Sequence, residues 1–491
     1  MNILFLKQDR LLNFFIPVGL LFLNFILKII FLDSMPIAGD EPFSIYHAQM
    51  DVSAIIAQLS QGNNPPLFEI ILHFWIKLFG ISAFSVRFLP FLFSVATVYF
   101  VYKIGISFFN ARIAIIASLL FSFSNYHIFF SHEARVYSLF ALLSTISMFA
   151  YLSLLKKEKN NLYLLLLIIA NILLCYAHYF GFFILFIQLV CCVIFQPVRS
   201  KIFKKYIFAS CVFIIAYIPN IAVIINRFLL SYSDGWVSPV TYDALFNMLR
   251  RFSNVPVTAV LFLTILTIAL IKLIKNRFKN GSIYDKIIIV WFLLPYFLMF
   301  FISMEYLPHN IPIFLDRYVI FISIAFYLLL AIAVNYLFSD VKFGYIWLSI
   351  PVFLMLFTCK PNVDNKRRVV EVVEKIKELK TEKTIIFYTP YFFSFNFVYY
   401  YNIDYFKDYN QINPYQNIET WLAKENIFPL ENAAHIDSTL IVEAEKIVYL
   451  FLGEISSDNK DISTYWKEDF EEETFFFPAV FNICVYEKIR K

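Results

Sequence analysis

Hydrophobic residues run along this chain in long blocks separated by short polar stretches. A bilayer core takes ~20 residues of helix to cross, and blocks of that length with almost no charge are read as membrane spans. The pattern predicts about eleven, near residues 11–32, 84–102, 113–130, 136–154, 161–177, 179–196, 206–226, 256–274, 286–303, 318–338 and 343–359. After Cys359 the pattern changes. NKRRVVEVVEKIKELK has the spacing of a charged amphipathic helix, and KTIIFYT, EKIVYLFLG and FNICVYEK read as strands. The expected organisation is a transmembrane domain over 1–359 and a small α/β domain outside the membrane over 360–491.

One apolar stretch does not fit a span. PLFEIILHFWIKLFG (Pro66–Gly80) holds Glu69, His73 and Lys77. Counting it as a crossing would invert every later loop. Without it, Lys103 and Arg112, Lys156, Lys157 and Lys159, Arg199 to Lys205, Lys272 to Lys286, and Lys342 all fall on one face with Lys7 and Arg10. That is the cytoplasmic bias expected of basic short loops. Pro42–Gln61 and Pro66–Phe79 are therefore expected as amphipathic helices in the outer interface, joined by the turn GNNPP within a first outer loop of residues 33–82.

Composition agrees. At 60% hydrophobic, 20% aromatic and 16% charged residues, no soluble globule has enough interior for this chain. The net charge of +5 is segregated by side and gives no case for nucleic acid. The six cysteines show neither metal spacing nor a disulfide framework, so no metal site is expected. The first apolar run lacks a small-residue cleavage site and is read as an uncleaved span.

With this topology the polar clusters fall on the non-cytoplasmic face. Asp40-Glu41 follows the first span in a stretch, Asp33 to Phe74, that holds five acids and no Lys or Arg. Two readings stand: a general base with its neighbour fixing the geometry, or loop charges that cap the helix beginning at Pro42. SHEARVY places His132, Glu133, Arg135 and Tyr137 at a junction between spans, where ionisable groups are costly unless paired or used. The bland alternative is an Arg–Glu pair beside an aromatic belt. His178 and Tyr179 mark another such junction. Arg317, in Asp316-Arg317-Tyr318, suits an anionic headgroup because its fork engages phosphate oxygens; snorkelling is the alternative. Asp234, Trp236, Arg250 and Arg251 lie in a longer outer loop, where simple solvated charge is the competing reading.

Several of these stretches together carry a resemblance. GDEPFSIYHA, NNPPLFEIILHFWIKLFGISAFSVRFLP, SHEARVYSLFALLS, AHYFGFFILFIQ and the pair Arg317-Tyr318 are similar to the glycosyltransferase family 39/83-like membrane enzymes, the protein-O-mannosyltransferase and aminoarabinose-transferase group. The likeness runs over residues 11–340 and is most specific in the first 140. It implies an α-helical polytopic GT-C fold with interfacial helices in the first outer loop. It also implies a polyprenyl-phosphate-linked sugar as donor substrate, no cofactor or metal, and transfer to an acceptor hydroxyl on a lipid, glycan or protein. By that match Asp40 is the base and Glu41 its neighbour, with Glu133 and Arg135 near the acceptor or the phosphate. The further candidates for binding acceptor or donor are His132, Tyr137, His178, Tyr179, Pro65 and Pro66, and for the phosphate Arg317, Tyr318 and Arg250. Where the family often has His before Pro-Pro-Leu, this chain has Asn64.

The residues agree with such chemistry: a carboxylate to take a hydroxyl proton, cations for the leaving phosphate, and apolar spans for a prenyl chain. In-line attack would invert the anomeric centre. Two rivals are an O-antigen ligase or polymerase, which would survive loss of Asp40, and a lipid or glycan transporter. A transporter is expected to place charges or broken helices at the midplane, whereas these span interiors are nearly free of charge. Phe-, Lys-, Ile- and Asn-rich usage points to a bacterial inner membrane, with the active face periplasmic.

Overall fold

The computed structural model describes residues 2–60, 62, 64–230, 238–276, 281–306, 311–363, 367–408, 413–431, 444–452, 470–477 and 481–488. Asp234 and Trp236 lie outside these. Compactness divides the chain into two units. The first comprises Met1–Leu32, Ser53–Trp75 and Phe84–Val363; the second comprises Asp33–Val52, Ile76–Ala83 and Asp364–Lys491.

The first unit is a helical bundle. Among the described residues, six helices are long and apolar enough to cross a membrane: Ala83–Phe108, Tyr137–Lys156, Gln196–Asn226, Pro256–Lys275, Ile283–Ile302 and Ile320–Phe338. Ala111–Ser122 and Asn125–Ser131 form a further crossing bent by 61°, and Phe14–Ile29, Asn161–Ala177, Gly181–Ile194 and Gly344–Phe357 are shorter apolar helices. All eleven apolar elements of the sequence pattern are present; three of these four fall below the length of a full crossing, while Phe14–Ile29 is the apolar part of the 28-residue helix Asn2–Ile29. Local chemistry accounts for two of them. Asn160 accepts from the Leu162 amide and caps one helix at its expected start, Asn161, and extended backbone at His178 ends it after Ala177 and holds the next back to Gly181.

Burial separates the centre of the bundle from its rim. Tyr137–Lys156 and Ile320–Phe338 are 89% and 72% buried over their most apolar windows, against 17% for Pro256–Lys275. The central helices are apolar all round because protein surrounds them, whereas the rim helices turn that surface outward. Gly105 lets two helices touch: a Cβ there would lie 2.3 Å from the Ala114 Cα.

Broken helices are tolerated at membrane depth only where other groups take up the freed backbone. The bend is held in this way. Ser124 accepts from the His127 amide, and its hydroxyl in turn receives Tyr327 Oη at 2.8 Å. Asn254, in the left-handed region at φ 65°, donates to the Phe123 carbonyl at 3.0 Å and accepts from the Asn125 amide at 2.8 Å.

The predicted helix over Pro42–Gln61 is two helices, Glu41–Ala48 and Val52–Leu59. The Gln49 and Met50 amides fold back onto Tyr46 and His47, and the Gln49 side chain leaves to donate to the Phe406 carbonyl. Leu67–Phe79 forms as expected, with 13 residues, too few to cross a bilayer.

The second unit carries a five-stranded sheet. Its strands are β1 (Thr384–Thr389), β2 (Ile427–Pro429), β3 (Lys446–Leu452), β4 (Phe470–Phe477) and β5 (Phe481–Lys488), in the order β2-β1-β3-β5-β4. β1 runs parallel to β2 and β3, while β5 is antiparallel to β3 and β4. Helix Pro414–Lys424 provides part of the crossover that the parallel pair β1–β2 requires. Alternate residues on both faces of the central strands are buried, Ile385 and Phe387 on one, Ile386 and Tyr388 on the other, so the sheet is covered on both sides. Tyr46, on helix Glu41–Ala48, packs on Phe395 and Phe406 of this unit at 5.1 and 5.5 Å.

Candidate functional site

The Asp40 stretch belongs to the second unit. Gly39 has φ +65°, a conformation that only glycine adopts easily. Asp40 is exposed and occupies the position before the first turn of helix Glu41–Ala48, yet its side chain makes no capping hydrogen bond. Glu41 differs: it is 1% exposed, and its carboxylate turns back to accept from the Ala38 amide at 3.2 Å. The acid pair thus divides, one buried in local structure and one at the surface.

Residues far along the chain fix this loop. Arg367 donates to the Ala38 carbonyl at 3.0 Å, and Asn396 Nδ2 to the Gly39 carbonyl at 2.9 Å. A Cβ on Gly39 would also displace the Arg367 guanidinium, the movable end of a flexible side chain, so it is the positive φ that demands glycine. Nearby, the half-buried Tyr415 ring packs on Phe395 at 4.8 Å, and burial, together with the charges of Tyr391 and Asp40, pushes its pKa up.

The remaining candidates belong to the first unit. Arg135, 7% exposed, stands 3.8 Å from Glu69, itself 3% exposed on helix Leu67–Phe79. His132 is fully buried, with Nε2 donating to the Lys28 carbonyl at 2.7 Å. The Lys28 ammonium donates to Ser94 Oγ at 2.6 Å and lies over the Phe121 ring. Burial, reinforced by the charges of Lys28 and Arg87, lowers the His132 pKa to about 4 against the pull of the Lys28 carbonyl. Glu133 is half-buried, and its carbonyl receives the Arg135 amide at 2.7 Å.

Arg317 Nη1 lies 3.4 Å from Tyr137 Oη, and its guanidinium is over the Tyr318 ring at 5.9 Å. His178 stacks on Phe140, with ring centroids 4.5 Å apart, and meets Tyr318 edge-on at 5.8 Å. Burial first, then Arg135 and Arg317, lowers its pKa to about 3. SHEARVY, His178 and Arg317-Tyr318 are therefore one constellation. Tyr179 is half-buried one residue beyond it. Arg250 is exposed on helix Asp243–Phe252, and its neighbour Arg251 pairs with Asp316. Pro65 is buried, and the Pro66 carbonyl receives the Ile70 amide as helix Leu67–Phe79 opens.

Sequence reasoning missed Arg367, Asn396 and Lys28. The first two lie 329 and 357 residues from their partners and sit in an ordinary charged or aromatic context. Lys28 had a signal, a lone cation inside an apolar run.

Comparison with solved structures decides the fold. ArnT from Cupriavidus metallidurans in the apo state superposes with a TM-score of 0.59 over 96% of this chain and 97% of that one, at 9% identity. The chain has the GT-C fold. The same protein bound to undecaprenyl phosphate gives 0.59 at 10% identity, covering 96% of this chain and 98% of that one. The archaeal oligosaccharyltransferase AglB from Archaeoglobus fulgidus, in complex with an inhibitory peptide and a dolichol-phosphate, gives 0.53 at 11% identity, covering 97% and 74%. Residues 63–225 match the family model for dolichyl-phosphate-mannose-protein mannosyltransferase. No curated protein matches the sequence. Within the GT-C fold, that matched segment holds Glu69, SHEARVY and His178, while Asp40 precedes it.

Proposed function

We propose that this protein is a membrane glycosyltransferase that moves a sugar from a polyprenyl phosphate to an acceptor hydroxyl on a lipid, glycan or protein, with Asp40 as general base. One observation carries the assignment: Asp40 heads a helix and is exposed, while Glu41 is buried and accepts from the Ala38 amide. A carboxylate held so is suited to accept a proton from an approaching hydroxyl. The acceptor oxygen then attacks the anomeric carbon, the bond to the phosphate oxygen breaks, and the configuration inverts. The polyprenyl phosphate leaves with the electron pair. Arg135 and Arg317 are the cations assigned to that charge, as charge-assisted donors to phosphate oxygens. The GT-C fold, shared with structures bound to undecaprenyl phosphate and dolichol-phosphate, supports the carrier class. The proposed site of action is the periplasmic face of a bacterial inner membrane.

The test is sugar release from a panel of radiolabelled polyprenyl-phosphate sugars by purified wild-type protein and Asp40→Asn, with candidate acceptors supplied. Wild type consumes one donor with inversion, and the variant binds that donor without consuming it. Undiminished turnover by Asp40→Asn overturns the assignment of the base, and a retained anomeric configuration overturns the in-line mechanism.

A further inference from the structure

His178 is 1% exposed and its ring is fixed from two sides. The Phe180 amide donates to Nδ1 at 3.2 Å, and Phe140 lies nearly parallel to the ring at an interplanar angle of 13°. Because Nδ1 receives a proton, the ring's own hydrogen is on Nε2. Among the described residues Nε2 has no hydrogen-bond partner. A buried donor left unmade is expensive, and native structures rarely keep one without a use.

The surroundings indicate what the donor awaits. Arg135 and Arg317 are both close enough to act on the ring electrostatically, and both disfavour its protonation. Arg317 also reaches Tyr137, whose ring lies 6.5 Å from that of His178. With two guanidinium groups acting on the ring, that of Arg135 shared with Glu69, an oriented neutral N–H suits an oxyanion better than a cation or an apolar group. An imidazolium would be a third positive charge there, whereas the neutral ring adds a directed donor without repulsion.

We propose that His178 Nε2–H is the neutral donor of an oxyanion cradle completed by Arg135 and Arg317, and that it takes a phosphate oxygen of the polyprenyl carrier. This rests on the reading of the protein as a polyprenyl-phosphate-dependent transferase. It assigns to His178 contact with the phosphate group, leaving the prenyl chain and acceptor to other residues.

The experiment compares binding of undecaprenyl phosphate and of undecaprenol to the full-length protein in phosphatidylcholine nanodiscs. Three variants are used. His178→Asn keeps an acceptor for the Phe180 amide and removes the Nε2 donor; His178→Gln restores a donor at greater reach; Arg317→Ala removes a cation. Expected is a loss of about tenfold or more in affinity for the phosphate lipid in His178→Asn, as for a hydrogen bond to a charged group. Undecaprenol binding stays unchanged, and His178→Gln recovers much of the loss. If Arg317→Ala loses phosphate affinity while His178→Asn keeps it, the functional reading stands and the role of His178 is overturned. If wild type binds both lipids equally, the reading and this inference fall together. Should His178→Asn lose its fold, as judged by its melting temperature, His178→Phe, which keeps a ring on Phe140 and carries no donor, takes its place, and undiminished phosphate affinity in that folded variant overturns the role.

Discussion

The guanidinium of Arg367 donates to the carbonyl of Ala38 and rests against the bare Cα of Gly39. Asp40 follows immediately, so its carboxylate is presented from a backbone that the arginine braces. Replacing Arg367 with Ala should reduce kcat by about tenfold, as expected when a charge-assisted hydrogen bond that sets geometry is lost. The KM for the donor should change little. Gly39→Ala meets both the positive φ and the guanidinium, and should also lower the melting temperature. Steady-state kinetics with unchanged kcat in Arg367→Ala would sink this view of the loop.

The two adjacent acids should separate cleanly. Glu41→Gln keeps an oxygen for the Ala38 amide, so most activity should remain; Glu41→Ala leaves that amide without its carboxylate, lowering stability by about 1–3 kcal/mol. Asp40→Asn should lose about 10²–10⁴-fold in kcat at little expense to stability. Kinetics alongside thermal melts distinguish the two, and a reversed pattern would reassign the base to Glu41.

Glu69 and Arg135 form a pair that is almost fully buried. Removing one member of such a pair is strongly destabilising, because the other charge stays out of water. Glu69→Gln should therefore cost about 3 kcal/mol, read from unfolding in detergent. Adding Arg135→Met should recover part of that loss without restoring activity. A double-mutant cycle with no coupling between the sites would remove the pair from the account.

His132 and His178 are neutral in the folded protein, with pKa values near 4 and 3 set chiefly by burial. In the unfolded chain each takes up a proton below its ordinary value of about 6.5. More protons bind to the unfolded form between those limits, so stability should fall as pH drops from about 6.5 toward 4. His132→Asn and His178→Asn should each flatten that slope in melting curves recorded across the range. For the same reason neither ring should contribute an inflection near pH 6.5 to the kcat/KM profile.

The apolar elements were legible because bilayer length and hydropathy leave a long, local signature. Their ends were less so. The extended backbone at His178 holds back the start of the next helix to Gly181, and the Gln49–Phe406 hydrogen bond accompanies the break in a helix that the local pattern made continuous. The site candidates could be named from polar residues at span ends, since charge there needs a reason. Their roles were another matter. Whether Asp40 caps its helix depends on one side-chain hydrogen bond, which spacing alone does not determine. Arg367 and Asn396 left no trace in the local sequence, because the partners they hold are hundreds of residues away.

The second compact unit is assembled from three separated stretches, Asp33–Val52, Ile76–Ala83 and Asp364–Lys491. It is therefore not a cassette at the end of a gene. A chain terminated before Asp364 would retain every apolar helix but deprive Tyr46 of Phe395, Gln49 of Phe406, and Ala38 of Arg367. Exchanging the tail for that of a relative would disturb the acidic loop unless the loop travelled with it. Loop and tail are bound to be inherited as one piece, and chimeras of this protein should be cut with both ends in hand.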